Sequence, residues 1–263
     1  MCKTEKERNL ALESSGQMPV EEAIRIIQAA NDDKVTLRLI GGVAVRFHCH
    51  GPHSSHMRTY HDIDIFGLSR ERAGIHSMFQ KLGYCPNDRY NVLYGASRLQ
   101  FFNPSNKGHV DVYLDKFIMD HTLDFRTRLQ IDKVTISVTD LLLTKLQIFR
   151  FTEKDSVDTI AILEDHAIGL KDDQETLNLE YIARLCSKDW GLYKTLNLNL
   201  HKMSEIINKG SFKPPEKEDL AGKIEAIQKA VEIKEKTLRW KLRSLLGEKI
   251  KWYEEVEIGE AEI

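Results

Sequence analysis

Two alternating stretches set the pattern of this chain. In His61-Asp62-Ile63-Asp64-Ile65-Phe66, and again in His109-Val110-Asp111-Val112-Tyr113-Leu114, polar and apolar side chains change places along the run. A period of two is that of a β-strand, whose successive side chains leave opposite faces. Residues 35–40 are rich in β-branched and apolar types and predict a third strand. Gly41-Gly42 ends it, and residues 43–49 restart as a short helix. Upstream, Ala23, Ile24, Ile27 and Ala30 recur at helical spacing until Asn31-Asp32. Residues 50–60, with Gly51, Pro52 and two serines, read as a loop. A helix over 70–82 follows, with Ser69 placed to cap it and Gly83 to stop it. Residues 92–102 hold short strand-like pieces, and 129–138 hold two more strand candidates around Asp132-Lys133.

The pattern changes near position 138. Thr139 is placed to cap a helix over 139–150, and a second helix is predicted over 154–165. Beyond about position 170 the spacing predicts only helices: 179–189, 193–208 and, after the break at Lys213-Pro214-Pro215, one long charged helix over 216–246. Its apolar positions Leu220, Ile224, Ile227, Val231, Leu238 and Leu242 form a packing or oligomer-forming face. The expected organisation is an N-terminal arm (1–19), an α/β (α+β) core with a mixed sheet flanked by helices (20–138), and a helical C-terminal domain (139–263).

Composition narrows the classes. The 263 residues are 41% hydrophobic and 30% charged, enough to bury a sizeable core and too apolar for a disordered chain. A net charge of −2 supplies no global basic field for non-specific nucleic-acid binding. The four cysteines, Cys2, Cys49, Cys85 and Cys186, form no CxxC pair, so a reducing compartment is expected rather than a disulfide framework. No apolar run approaches the roughly 20 residues of a membrane helix. Residues 1–17 lack the apolar stretch of a secretory signal, and the expectation is a cytoplasmic protein with no membrane partner.

The chemistry gathers on the strands. Asp62 and Asp64 are two apart and share a face, with Ile63 and Ile65 turned into the core. Carboxylates so close repel unless a cation joins them. Hard oxygen ligands suit Mg2+ or Mn2+, which keep part of their water and grip phosphates. A strand beside this one would bring Asp111 to the same face, and three carboxylates would then hold two ions. Gly41-Gly42, between strand and helix, lets backbone approach a phosphate at a helix N-terminus. Arg58, four residues before Asp62, offers a guanidinium that fits phosphate in a two-pronged way. The histidines His48, His50, His53, His56 and His61 contain no HExxH arrangement and read as a polar loop beside an anionic pocket rather than a zinc site.

Leu39-Ile40-Gly41-Gly42-Val43-Ala44-Val45, Asp62-Ile63-Asp64-Ile65 and Val110-Asp111-Val112 together resemble the nucleotidyltransferase superfamily. Leu142 to Arg150, with Lys145, followed by Lys154-Asp155-Ser156-Val157-Asp158, is similar to its AbiEii-type branch. The resemblance covers about residues 37–163. It implies transfer of NMP from an NTP to an acceptor hydroxyl, with Asp62, Asp64 and Asp111 as catalytic metal ligands, Gly41, Gly42, Arg58 and Lys145 toward the nucleotide, and Asp158 (or Asp155) as acid/base or lysine partner. The active site is expected on the sheet face between the two parts. Many members carry a serine after the two glycines, where this chain has Val43. The acceptor stays open among a small molecule, tRNA or other RNA, and a protein; an antitoxin is a possible partner, as is a second copy of the chain. The competing reading is a non-catalytic nucleotide-binding or interaction module on the same fold.

Overall fold

The computed structural model describes residues 20–50, 62–104 and 108–255. The arm over 1–19, Arg58, His53, His56, His61 and the end of the acidic tail lie outside the described residues. The chain divides into two compact units, one of Met1–Phe117 with Asp124–Ser137, the other of Ile118–Leu123 with Val138–Ile263. The architecture is mixed α/β.

The first unit contains helix α1 (20–32), strand β1 (Leu37–Ile40), α2 (Gly41–His48), β2 (Asp62–Gly67), a 3-10 turn (Ser69–Glu71), α3 (Arg72–Lys81), β3 (Cys85–Pro86), α4 (Asp88–Tyr94), β4 (Arg98–Phe102) and β5 (His109–Leu114). Its five strands lie in the order β1-β2-β5-β4-β3. The β2–β5 pair is parallel, and the other three pairs are antiparallel. Partners in register share a face, so the alternation in each strand sorts the sheet into two sides. Leu37, Leu39, Ile63, Ile65, Leu99, Phe101, Val110 and Val112 occupy one side, all buried. There Phe79 of α3 stacks on Phe101, ring centroids 4.2 Å apart. The other side carries Asp62, Asp64, Arg98, Gln100, Asp111 and Tyr113.

Several local expectations are corrected. Residues 129–138 form no strand beyond one bridge from Thr135 to Leu39. Asp132 explains this: its Oδ1 accepts the amides of Val134 (2.7 Å) and Thr135 (2.8 Å), folding the segment on itself. The buried guanidinium of Arg38 then binds the Leu129 and Asp132 carbonyls at 2.8 and 2.6 Å. Ser69 caps no helix; its hydroxyl and amide both donate to Asp115, and α3 begins only at Arg72. Positions 92–94 end helix α4 instead of forming strand, because Asn87 accepts the Tyr90 amide and nucleates a turn.

The second unit contains residues 118–123 and then α5 (Val138–Leu146), α6 (Glu153–Asp165), β8 (Ala167–Gly169), β9 (Thr176–Asn178), α7 (Leu179–Lys188), α8 (Trp190–Lys209), α9 (Pro214–Ile233) and α10 (Leu238–Leu246). Short strands β6 (Lys116–Ile118) and β7 (Thr122–Asp124) pair where the chain passes from one unit to the other. Beyond position 170 the chain is not purely helical, since β9 pairs in parallel with β8. Thr139 lies inside α5 rather than capping it; its Oγ1 accepts the Asn178 amide and donates to the Thr176 carbonyl. The predicted helix over 216–246 breaks at 234–237. The Lys236 ammonium donates to the Val231, Glu232 and Lys234 carbonyls, closing α9, and Thr237 caps α10. Leu220, Ile224, Ile227 and Val231 are buried, whereas Leu238 and Leu242 are exposed. Among the described residues, no helix is long and apolar enough to cross a membrane.

Candidate functional site

The parallel pairing of β2 with β5 puts Asp64 opposite Asp111 and Asp62 opposite His109. Adjacent strands lie about 4.8 Å apart, so these carboxylates leave one face as close neighbours. Asp62 is exposed, Asp64 half-buried, and Asp111 buried. On the other side of β2, Ile40 stands opposite Asp64, and the next residue is Gly41.

Gly41 has φ +73, and a β-carbon placed on it would sit 2.5 Å from Oδ2 of Asp64. Any side chain here would therefore collide with that carboxylate as well as strain the backbone. Helix α2 starts at this glycine. Its N-cap Ile40 offers no capping side chain, and the first turn carries no acidic residue. Such a helix start favours a bound anion. Gly42 follows, buried within the first turn.

The sequence reading missed Arg98. On β4, two register positions from Gln100, which stands opposite Asp111, it reaches diagonally to Asp111. Its Nε donates to Oδ1 at 3.1 Å, and Nη2 lies 2.8 Å from Oδ2. The guanidinium lies 4.7 Å from the Tyr113 ring centre and 5.9 Å from that of Tyr90. Burial opposes the Arg98 charge, but the paired Asp111 carboxylate favours it and its pKa is raised. Burial, then the charge of Asp64, pushes the Tyr113 hydroxyl well above its ordinary value, so it stays protonated. The signal that would have found Arg98 is the alternation Arg98-Leu99-Gln100-Phe101, once β4 is known to lie beside β5.

In the second unit, Lys145 and Asp158 meet across α5 and α6. Lys145 Nζ is 2.7 Å from Asp158 Oδ2, and the Asp158 side chain is fully buried. Asp155 lies farther from the ammonium, at 3.7 Å, and closes a capping box with Thr152 at the start of α6. Of the histidines, His48 ends α2 with its Nε2 2.6 Å from Thr135 Oγ1, and His50 is exposed just after. Asp115, outside the carboxylate group, is held by Ser69.

No protein family and no curated protein matches the chain. Among solved structures, the chain is similar to the lincosamide antibiotic adenylyltransferase LnuA with lincomycin bound. The TM-score is 0.39 and the identity 20%, over 54% of this chain and 94% of that one.

Proposed function

We propose that the first unit is a nucleotidyltransferase core, binding an NTP with Mg2+ or Mn2+ and transferring NMP to an acceptor hydroxyl. The observation that carries this is the register of Asp64 against Asp111, with Gly41 backed directly onto Asp64. Asp62, Asp64 and Asp111 supply an all-carboxylate donor set, which fits a hard divalent cation. Asp64 would hold the ions jointly with Asp62, and Asp111 would complete one of the two positions. When bound, such ions neutralise a triphosphate and acidify a hydroxyl beside it.

The chain's own part is positional and electrostatic. The start of α2 at Gly41-Gly42 receives phosphate oxygens through backbone amides, and the glycines keep that approach open. Asp111 is the candidate to accept the acceptor's proton as its oxygen bonds to the α-phosphorus. The bond from that phosphorus to pyrophosphate then breaks. Val43, in place of the serine common in the superfamily, leaves this work to the backbone. Lys145 and Asp158 keep the roles that the sequence resemblance gives them, a phosphate contact and its carboxylate partner. The acceptor class, an antitoxin-like partner and the AbiEii-type affiliation remain part of this proposal.

A second reading has its own support. Val43 and the Arg98 hold on Asp111 both favour a module that binds nucleotide without turning it over. Calorimetric titration of ATP, GTP, CTP and UTP with Mg2+ or Mn2+, followed by a pyrophosphate-release assay, separates the two. Metal-dependent binding lost in Asp64→Asn, with pyrophosphate release once an acceptor is present, supports the transferase. Binding without release supports the module. No binding of any NTP sinks both.

A further inference from the structure

Arg98 is the feature that the proposed chemistry does not absorb. Both oxygens of Asp111 face its two-pronged guanidinium, at 3.1 and 2.8 Å. Gln100 Nε2 adds a longer contact to Oδ1 at 3.4 Å. A divalent cation needs at least one of these oxygens, and the guanidinium engages both while adding like-charge repulsion. The two-pronged pairing of Asp111 with Arg98 therefore competes with loading of Asp111 by metal.

Arg98 also has somewhere to stay when it lets go. Its stem is fixed on β4, opposite Tyr113, and its charge lies against the Tyr113 and Tyr90 rings. Cation–π attraction keeps an arginine on such faces without a carboxylate partner. It would remain on the side of the sheet where a triphosphate would bring negative charge, and a planar guanidinium fits two phosphate oxygens at once.

The geometry points to Arg98 as the residue that couples nucleotide binding to metal loading: paired with Asp111 it keeps that carboxylate from a divalent ion, and a triphosphate draws it away and opens the position. This rests on Asp64 and Asp111 being metal ligands. Arg98 is here a positioning residue, acting through Asp111. A purely structural ion pair predicts that its removal leaves the nucleotide's effect on metal affinity unchanged.

The test is a Mn2+ titration in which electron paramagnetic resonance counts the free ion, with and without α,β-methylene-ATP. Wild type, Arg98→Gln, Arg98→Lys and Asp64→Asn are compared, with urea unfolding as a check on folding. A charge-assisted, two-pronged pair is worth enough that its removal should tighten binding of Mn2+ alone by roughly ten- to hundredfold. The added effect of the nucleotide analogue on Mn2+ affinity should be large in wild type and small in Arg98→Gln, as linkage requires. Arg98→Lys, which keeps the charge but not the fork, should fall between them, and it carries the comparison if Arg98→Gln unfolds. Unchanged or weaker Mn2+ binding in folded Arg98 variants, or a nucleotide effect as large as in wild type, overturns the coupling role while Asp64-dependent binding in wild type keeps the metal site. Mn2+ binding absent from wild type and both variants overturns the coupling role and the metal site together.

Discussion

Replacing Gly41 with alanine tests whether the start of α2 and Asp64 are built against each other. Gly41 has φ +73, a conformation that costs an ordinary L-residue about 1–2 kcal/mol. The new β-carbon would also stand 2.5 Å from Asp64 Oδ2, 3.2 Å from its Cβ and 3.3 Å from its Cγ. At these distances the carboxylate must turn away or the β1–α2 junction must shift, adding strain of about 1 kcal/mol or more. The expected loss is therefore about 2–3 kcal/mol. Gly222 is the internal control. It lies within α9, and a β-carbon there meets nothing within 4 Å. Gly222→Ala should instead stabilise by about 0.5–1 kcal/mol, through helix propensity and a less flexible unfolded chain. Native-state hydrogen exchange reads the two units separately, through amides of β1 and β2 for Gly41→Ala and of α9 for Gly222→Ala. Gly41→Ala should also weaken Mn2+ binding, because the displaced oxygen belongs to a proposed ligand. A Gly41→Ala chain with wild-type exchange in β1 and β2 would refute the packing argument. A destabilised one with wild-type Mn2+ affinity would refute the link from Asp64 to metal.

The remaining expectations concern the second unit. Lys145→Met takes the ammonium from a fully buried Asp158 side chain and should cost about 3–5 kcal/mol, while Lys145→Met/Asp158→Leu should recover most of it; equal losses in urea unfolding would contradict a paired, buried interaction. Burial lowers the pKa of both His121 and His166. Unfolded, they titrate near 6.5, so their contribution is complete above that pH. It declines as pH falls through 6.5 toward the depressed folded values, where the unfolded chain takes up protons first. Urea midpoints of this unit should drop between pH 7.5 and 5.5, and less so in His166→Gln; a pH-independent midpoint would count against buried neutral imidazoles.

How far the sequence revealed all this depended on whether one residue's neighbours decided its structure. The period of two in Asp62-Ile63-Asp64-Ile65 and Val110-Asp111-Val112 was enough to place both carboxylates on polar faces, because alternation is a property of the strand itself. Their sharing of one face needed only that the two strands be neighbours, as they are, whereas the direct Asp64–Asp111 pairing is set by the sheet's register. Arg98 was invisible for the complementary reason. Its partner depends on β4 lying beside β5, and strand order is a property of the whole sheet. The segment at 129–138 has the composition of strand, but the Asp132 side chain captures two amides that a strand would offer to a neighbour. The helix over 216–246 looked continuous because lysine is a good helix former, and nothing in composition shows that Lys236 turns back to cap three carbonyls. β9, three residues long, carries too little pattern to be seen without its partner β8. Lys145 and Asp158 were singled out by resemblance, and their direct pairing is a matter of how α5 and α6 pack.

In the proposed site, the Asp64–Asp111 face of the sheet holds a divalent cation beside Gly41. The most direct measurement is paramagnetic line broadening by substoichiometric Mn2+ in the presence of α,β-methylene-ATP, read on assigned backbone amides. Gly41, Asp64 and Asp111 should broaden first, α9 should be spared, and Asp64→Asn should abolish the effect. Broadening centred elsewhere, or unchanged in Asp64→Asn, would contradict it.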